Sequence, residues 1–133
     1  MAQSRIRAVL RADIRTVWDT VLAVGQYSAW RSDVSRTEVR GERQFVEYTK
    51  DGYATAFTVT LVEPYQRWAF TMENTNMTGQ WTGVFAARGD ATEIEFTEQV
   101  AAKKFWMKPF VKAYLQKQQR QFVRDLQAYL SAK

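Results

Sequence analysis

With 133 residues, no cysteine and no histidine, the chain has the size of one ordinary domain and enough material for a core without metal or disulfide support. Those two absences exclude disulfide frameworks, thiolate nucleophiles, imidazole bases, His-containing triads and the usual zinc sites, so any chemistry falls to carboxylates, Lys, Tyr or hydroxyls. A formal charge of +5 invites anionic partners, yet neither a recognition motif nor exposed aromatics interleaved with the basic residues stand out, and no specific nucleic-acid binding is expected.

The opening stretch alternates Ile6, Ala8 and Leu10 with Arg5, Arg7 and Arg11, the period of two expected of a strand with one covered face and its arginines in water. It holds no continuous apolar run of the signal-peptide kind, and nowhere do about 18 uninterrupted apolar residues occur, so a cytoplasmic protein without a transmembrane segment is expected. Asn76-Met77-Thr78 and Arg88-Gly89-Asp90 match a glycosylation sequon and an adhesion tripeptide, both read here as chance turn residues.

Asp13 stands as an N-cap before Ile14, Val17, Trp18, Val21 and Leu22, a 3.6-residue pattern that predicts an amphipathic helix ended by Gly25. Gln26 to Trp30 has room for a turn or two of a second helix before the break at Arg31-Ser32-Asp33. Breakers then recur at Gly41, Asp51-Gly52, Glu63-Pro64, Asn74-Thr75-Asn76 and Gly89-Asp90, which separates six strands. Asp51-Gly52 predicts a hairpin with a tight primed turn. The covered face of the later strands is assigned to Phe57, Val59 and Leu61; Trp68, Phe70 and Met72; Trp81, Gly83 and Phe85; and Ile94 and Phe96.

The chain closes in a helix predicted over Phe105 to Leu130, with Trp106, Phe110, Tyr114, Gln118, Phe122, Leu126 and Leu130 close to one face and Lys108, Lys112, Lys117, Arg120 and Arg124 over much of the rest. No linker, repeat or low-complexity tract divides the chain, so residues 1–133 are read as one domain.

Val17-Trp18 in the first helix, Tyr27-Ser28-Ala29-Trp30 before the second strand and Phe96-Thr97-Glu98 on the last strand resemble the START-like helix-grip superfamily (SRPBCC), which includes polyketide cyclases, plant allergen-type ligand carriers and lipid-transfer domains. The resemblance covers nearly the whole chain. It implies an α+β fold in which a strongly curved antiparallel sheet of about seven strands wraps around a long C-terminal helix, with two short helices after the first strand. It also implies a cavity between sheet and helix, and makes the inward residues its lining. Those bulky aromatics are equally able to fill the space as a solid core.

Candidate ligand-binding residues are therefore Trp30, Tyr48, Phe57, Val59, Trp68, Phe70, Met72, Trp81, Phe85, Phe96, Glu98, Phe110, Tyr114, Gln118 and Phe122. Glu98 shares strand parity with Ile94 and Phe96, which aims a carboxyl at the covered face unless it lies at an open, solvated strand end. It is the candidate acid or base. Gln118 interrupts the helix stripe, either as a buried amide in need of a partner or at a wet margin. Tyr48, Tyr53 and Tyr114 have hydroxyls for a ligand or for local bonds, and Trp30 is placed at a cavity mouth or in packing.

The leading expectation is a carrier for one hydrophobic or amphipathic small molecule, lipid or polyketide-like, with no cofactor and no metal. Transient contact with a membrane surface fits the basic final helix. A cyclase or dehydratase-like enzyme with a carboxylate acid/base is the alternative, and a protein-interaction or chaperone-associated module is the third reading. Oligomeric state is not encoded in any of these features.

Overall fold

A computed structural model describes residues 1–132. Asp13 accepts a hydrogen bond from the Thr16 backbone N–H at 2.8 Å, satisfying one of the orphan donors at the start of α1 (Ile14–Leu22). The helix ends three residues before Gly25, which falls inside a 3-10 turn, Val24–Ala29, instead of forming the stop. This turn is the second short helix expected.

Seven strands follow the alternation of the sequence: β1 (Ala2–Leu10), β2 (Arg36–Val39), β3 (Gln44–Tyr48), β4 (Ala54–Glu63), β5 (Arg67–Glu73), β6 (Met77–Arg88) and β7 (Ala91–Ala102). Their order across the sheet is β1-β7-β6-β5-β4-β3-β2, antiparallel throughout. Strands β2 to β7 thus form a meander, and β1 closes against its far end. A bulge between Val59 and Leu61 bends β4 without losing the inward parity of either residue.

The β3–β4 hairpin forms where expected, but its turn is wider than a two-residue primed turn. Gly52 N–H donates to the Thr49 carbonyl at 2.9 Å and Thr49 N–H to the Tyr53 carbonyl at 3.0 Å. Only Gly52, at φ +81°, has the left-handed backbone that a glycine supplies without steric cost; Asp51 does not.

After a 3-10 turn at Phe105–Met107, helix α2 (Lys108–Ser131) crosses the concave face. Its buried residues are Val111, Leu115, Gln119, Leu126 and Leu130. In its first half the helix is therefore turned by about one residue, roughly 100°, from the predicted stripe. Trp106, Phe110 and Tyr114 consequently stay 59%, 66% and 50% exposed. The cause is at Gln119: Ser4 Oγ donates to its Oε1 at 2.7 Å, and its Nε2 donates to the carbonyls of Ser4 and Phe96 at 3.1 and 3.3 Å. A fully paired amide costs little to bury, and these bonds fix the rotation of α2 against β1 and β7.

Below that clamp the core is closed. Trp18, Phe85, Phe96, Ile94, Leu126 and Leu130 pack into one cluster with the inward aromatics of β3 to β6. On the other side of the clamp, Val111 and Leu115 of α2 pack with Val100 in a second, smaller cluster joined by Ala2, Met77 and Ala102.

Candidate functional site

A cavity of about 420 Å³ lies between the concave sheet and the first half of α2. Its floor is aromatic because the inward parity of β4, β5, β6 and β7 brings Phe57, Trp68, Phe70, Trp81 and Phe96 together. Phe70 stacks on Trp81 with centroids 4.8 Å apart, and Phe45 stacks on Phe57 at 4.7 Å. The rings thus support one another and leave the space above them open.

Among the described residues, the charged side chains that line the cavity are Arg31, Asp33, Glu47 and Glu98. Arg31 stands two residues after the 3-10 turn, and its side chain is only 5% exposed. Its Nε and Nη2 donate to the two carboxylate oxygens of Asp33 at 3.2 and 2.9 Å, and its Nη1 donates to Glu47 Oε2 at 2.8 Å. The guanidinium carbon also lies 5.0 Å from the ring centroids of both Tyr27 and Phe122. Burial works against this cation, and the two carboxylates more than restore its charge. Glu47 is pushed up by burial, against the pull of Arg31.

Glu98 differs from both of those acids. It is 5% exposed, it lines the cavity, and its carboxyl has no hydrogen-bond partner among the described residues. Loss of water pushes its pKa up to about 7, with Arg31 pulling down and Glu47 pushing up. A group poised there holds a proton or releases it near neutral pH, which is what proton transfer or charge-selective binding requires.

The other expected site residues fall into three groups. Phe57, Trp68, Phe70, Met72, Trp81, Phe96 and Phe122 line the interior, and Phe110, Tyr114 and Gln118 line it from α2. Tyr48 reaches the lining, but its hydroxyl donates to Glu38 Oε2 at 3.3 Å and its ring is covered by the Arg36 guanidinium at 3.8 Å. Tyr53 also lines the cavity, with its hydroxyl 2.9 Å from Thr75 Oγ1.

Trp30, Val59 and Phe85 are not among the lining residues. Trp30 packs behind Phe122, 5.3 Å between centroids, and stacks on Tyr129. It therefore belongs to the packing between the 3-10 turn and the end of α2, not to a mouth. Phe85 is capped by Trp18 at 5.0 Å, and Val59 lies with it in the closed cluster.

Sequence reading missed Arg31, Asp33 and Glu47, which lie in a break and on a short strand. Parity offered one signal, since Glu47 stands two residues after the buried Phe45.

The profile of the family described as "Polyketide cyclase / dehydrase and lipid transport" matches residues 1–131. The chain belongs to that family. No curated protein matches it. Among solved structures it is similar to a START superfamily protein from Mycobacterium smegmatis, at 13% identity and TM-score 0.87, with 99% of each chain covered. It is also similar to the Zhui aromatase/cyclase from Streptomyces sp. R1128, at 10% identity and TM-score 0.80, over 96% of this chain and 92% of that one. The di-domain aromatase/cyclase BexL of the BE-7585A biosynthetic pathway matches at 11% identity and TM-score 0.82, over 98% of this chain and 47% of its own. At such identities the likeness is one of fold, a START-like helix-grip architecture.

Proposed function

We propose that this family member binds a largely apolar, amphipathic small molecule of lipid or polyketide type, held between the sheet and α2. The observation that carries this reading is an aromatic-lined cavity of about 420 Å³ with an unpartnered buried carboxyl, Glu98, on its wall. Desolvation supplies most of the affinity: roughly 200 Å² of apolar ligand surface yields about 5 kcal/mol before ordering costs are subtracted. Glu98, Gln118 and Tyr114 orient the polar part.

The rim supports a route for loading. Phe105, at 80% exposure, and Trp106 and Phe110 stand beside Lys103, Lys104, Lys108 and Lys112, which corrects the expectation that no exposed aromatics interleave with the basic residues, and Trp106 and Phe110 also line the cavity. Aromatics flanked by lysines suit transient contact with an anionic membrane surface. No helix among the described residues is long and apolar enough to cross a membrane, so the contact would be peripheral.

A thermal-shift panel of aromatic polyketides and amphipathic lipids tests the binding reading. Saturable stabilisation by members of the panel is expected, since a ligand of the native state alone raises stability by mass action. No shift from any member contradicts it.

The poised state of Glu98 favours a second reading, a cyclase or dehydratase-like enzyme. As carboxylate, Glu98 takes a proton from a carbon acidified by a neighbouring carbonyl; as acid, it returns one to an oxygen. Glu98→Gln then abolishes turnover and spares binding. Unchanged turnover removes Glu98 from the chemistry.

A further inference from the structure

The charges around the cavity restrict which amphipathic molecule it accepts, an inference that rests on the ligand-binding reading above. One guanidinium stands among three carboxyl groups on the lining. Arg31 is already committed, bidentate to Asp33 and bonded to Glu47, so an incoming anion finds no free cation there. It would instead meet Glu98 and Glu47 in a space poor in water, where like charges interact strongly and each ion has lost its hydration.

A cation meets the opposite situation. Glu98 has an open carboxyl, and Trp81 lies directly opposite it across β6 and β7, with its ring on the same lining. A carboxylate in a water-poor space walled by aromatic rings attracts an ammonium group through charge and a charge-assisted hydrogen bond. We propose that the ligand carries a protonated amine at its buried end, received by Glu98 beside Trp81, and that the cavity rejects the matching carboxylate or phosphate.

Bulk electrostatics acts in the other direction. A chain of formal charge +5 draws anions toward it, so a preference for an amine must originate in the cavity. The groups around Glu98 are Ser4 opposite it on β1, Trp81 on β6, Glu47 on β3, Arg31 and Asp33 after the 3-10 turn, and Tyr114 on α2. Of these Arg31 is the lone cation, and it is paired twice.

Three probes of matched size separate the outcomes: naphthylethylamine, naphthylethanol and naphthylacetate, titrated by calorimetry at about pH 8, where Glu98 is largely ionised. The amine should bind roughly tenfold tighter than the alcohol or better, and the carboxylate weakest. Glu98→Gln should bring the amine's affinity close to the alcohol's. On the unmodified chain the amine's advantage should shrink as pH falls to about 5.5, because Glu98 gains a proton while the amine keeps its own. This series holds even where the variant fails to fold. Carboxylate binding equal to or tighter than amine binding, or an amine advantage that survives Glu98→Gln or the fall in pH, overturns the proposal. An alcohol that binds with no gain from the amine sinks this inference alone, whereas failure of all three probes sinks the ligand-binding reading with it.

Discussion

Trp81 and Glu98 stand directly opposite each other in the β6–β7 register and both face the concave side, so the largest ring of the cavity floor and its unpaired carboxyl are neighbours by strand parity. The pair places a titratable group against an apolar surface. That arrangement makes stability depend on pH.

The folded-state pKa of Glu98 is raised to about 7 from 4.5, so the native state holds a proton that the unfolded chain releases over that interval. Stability contributed by this residue is therefore full below the unfolded pKa and falls as pH rises toward 7, by about 3 kcal/mol in total. Glu98→Gln should match the unmodified protein at about pH 4 and exceed it at about pH 8, with Tm higher by on the order of 10 °C. Denaturation at both pH values checks this; an equal Tm gap at each would place Glu98 in water.

The clamp and its neighbour make a paired prediction. Gln119→Ala removes three hydrogen bonds that tie α2 to β1 and β7, stranding Ser4 Oγ, and should cost about 2 kcal/mol. Gln118→Ala should change stability by less than about 0.5 kcal/mol and weaken ligand binding instead. Urea denaturation of the two variants separates them, and an inverted order would return α2 to the rotation its sequence suggests.

That rotation shows where the sequence was legible and where it was not. Strand parity placed Phe57, Trp68, Phe70, Trp81, Phe96 and Glu98 on the inward face, because a one-sided sheet has period two and a slip would invert every side chain. Phe110 and Tyr114 outweigh Gln119 in hydrophobicity, so the helix pattern pointed about one residue away from the buried face. The deciding contact, Ser4 with Gln119, spans 115 residues and leaves no local trace. Arg31, Asp33 and Glu47 were hidden similarly, since their pairing joins a break to a strand and carries no periodicity of its own.

Gly83 is required by the floor it passes under. A Cβ there would lie 2.5 Å from the Trp81 ring and 3.1 Å from Phe96 Cδ1. Gly83→Ala should destabilise by about 1–3 kcal/mol through overpacking. It should also weaken ligand binding, because both displaced rings line the cavity. Calorimetry and denaturation of one variant report both effects; undiminished affinity would detach the floor from the ligand.

The rim is separable from the fold. Replacing Phe105, Trp106 and Phe110 together by Ser should leave Tm nearly unchanged, since all three side chains are mostly exposed. The triple variant should lose sedimentation with phosphatidylserine-containing vesicles, and salt should weaken what the unmodified protein shows. Equal sedimentation of the two proteins would remove the rim from any membrane role.

The central claim is that the cavity holds a small molecule, and native mass spectrometry of freshly purified protein beside its denatured mass tests it most directly. The predicted result is a discrete added mass that departs on denaturation and whose extract contains an amphipathic compound. Repeated native spectra at the bare chain mass, unchanged after incubation with naphthylethanol, would contradict it.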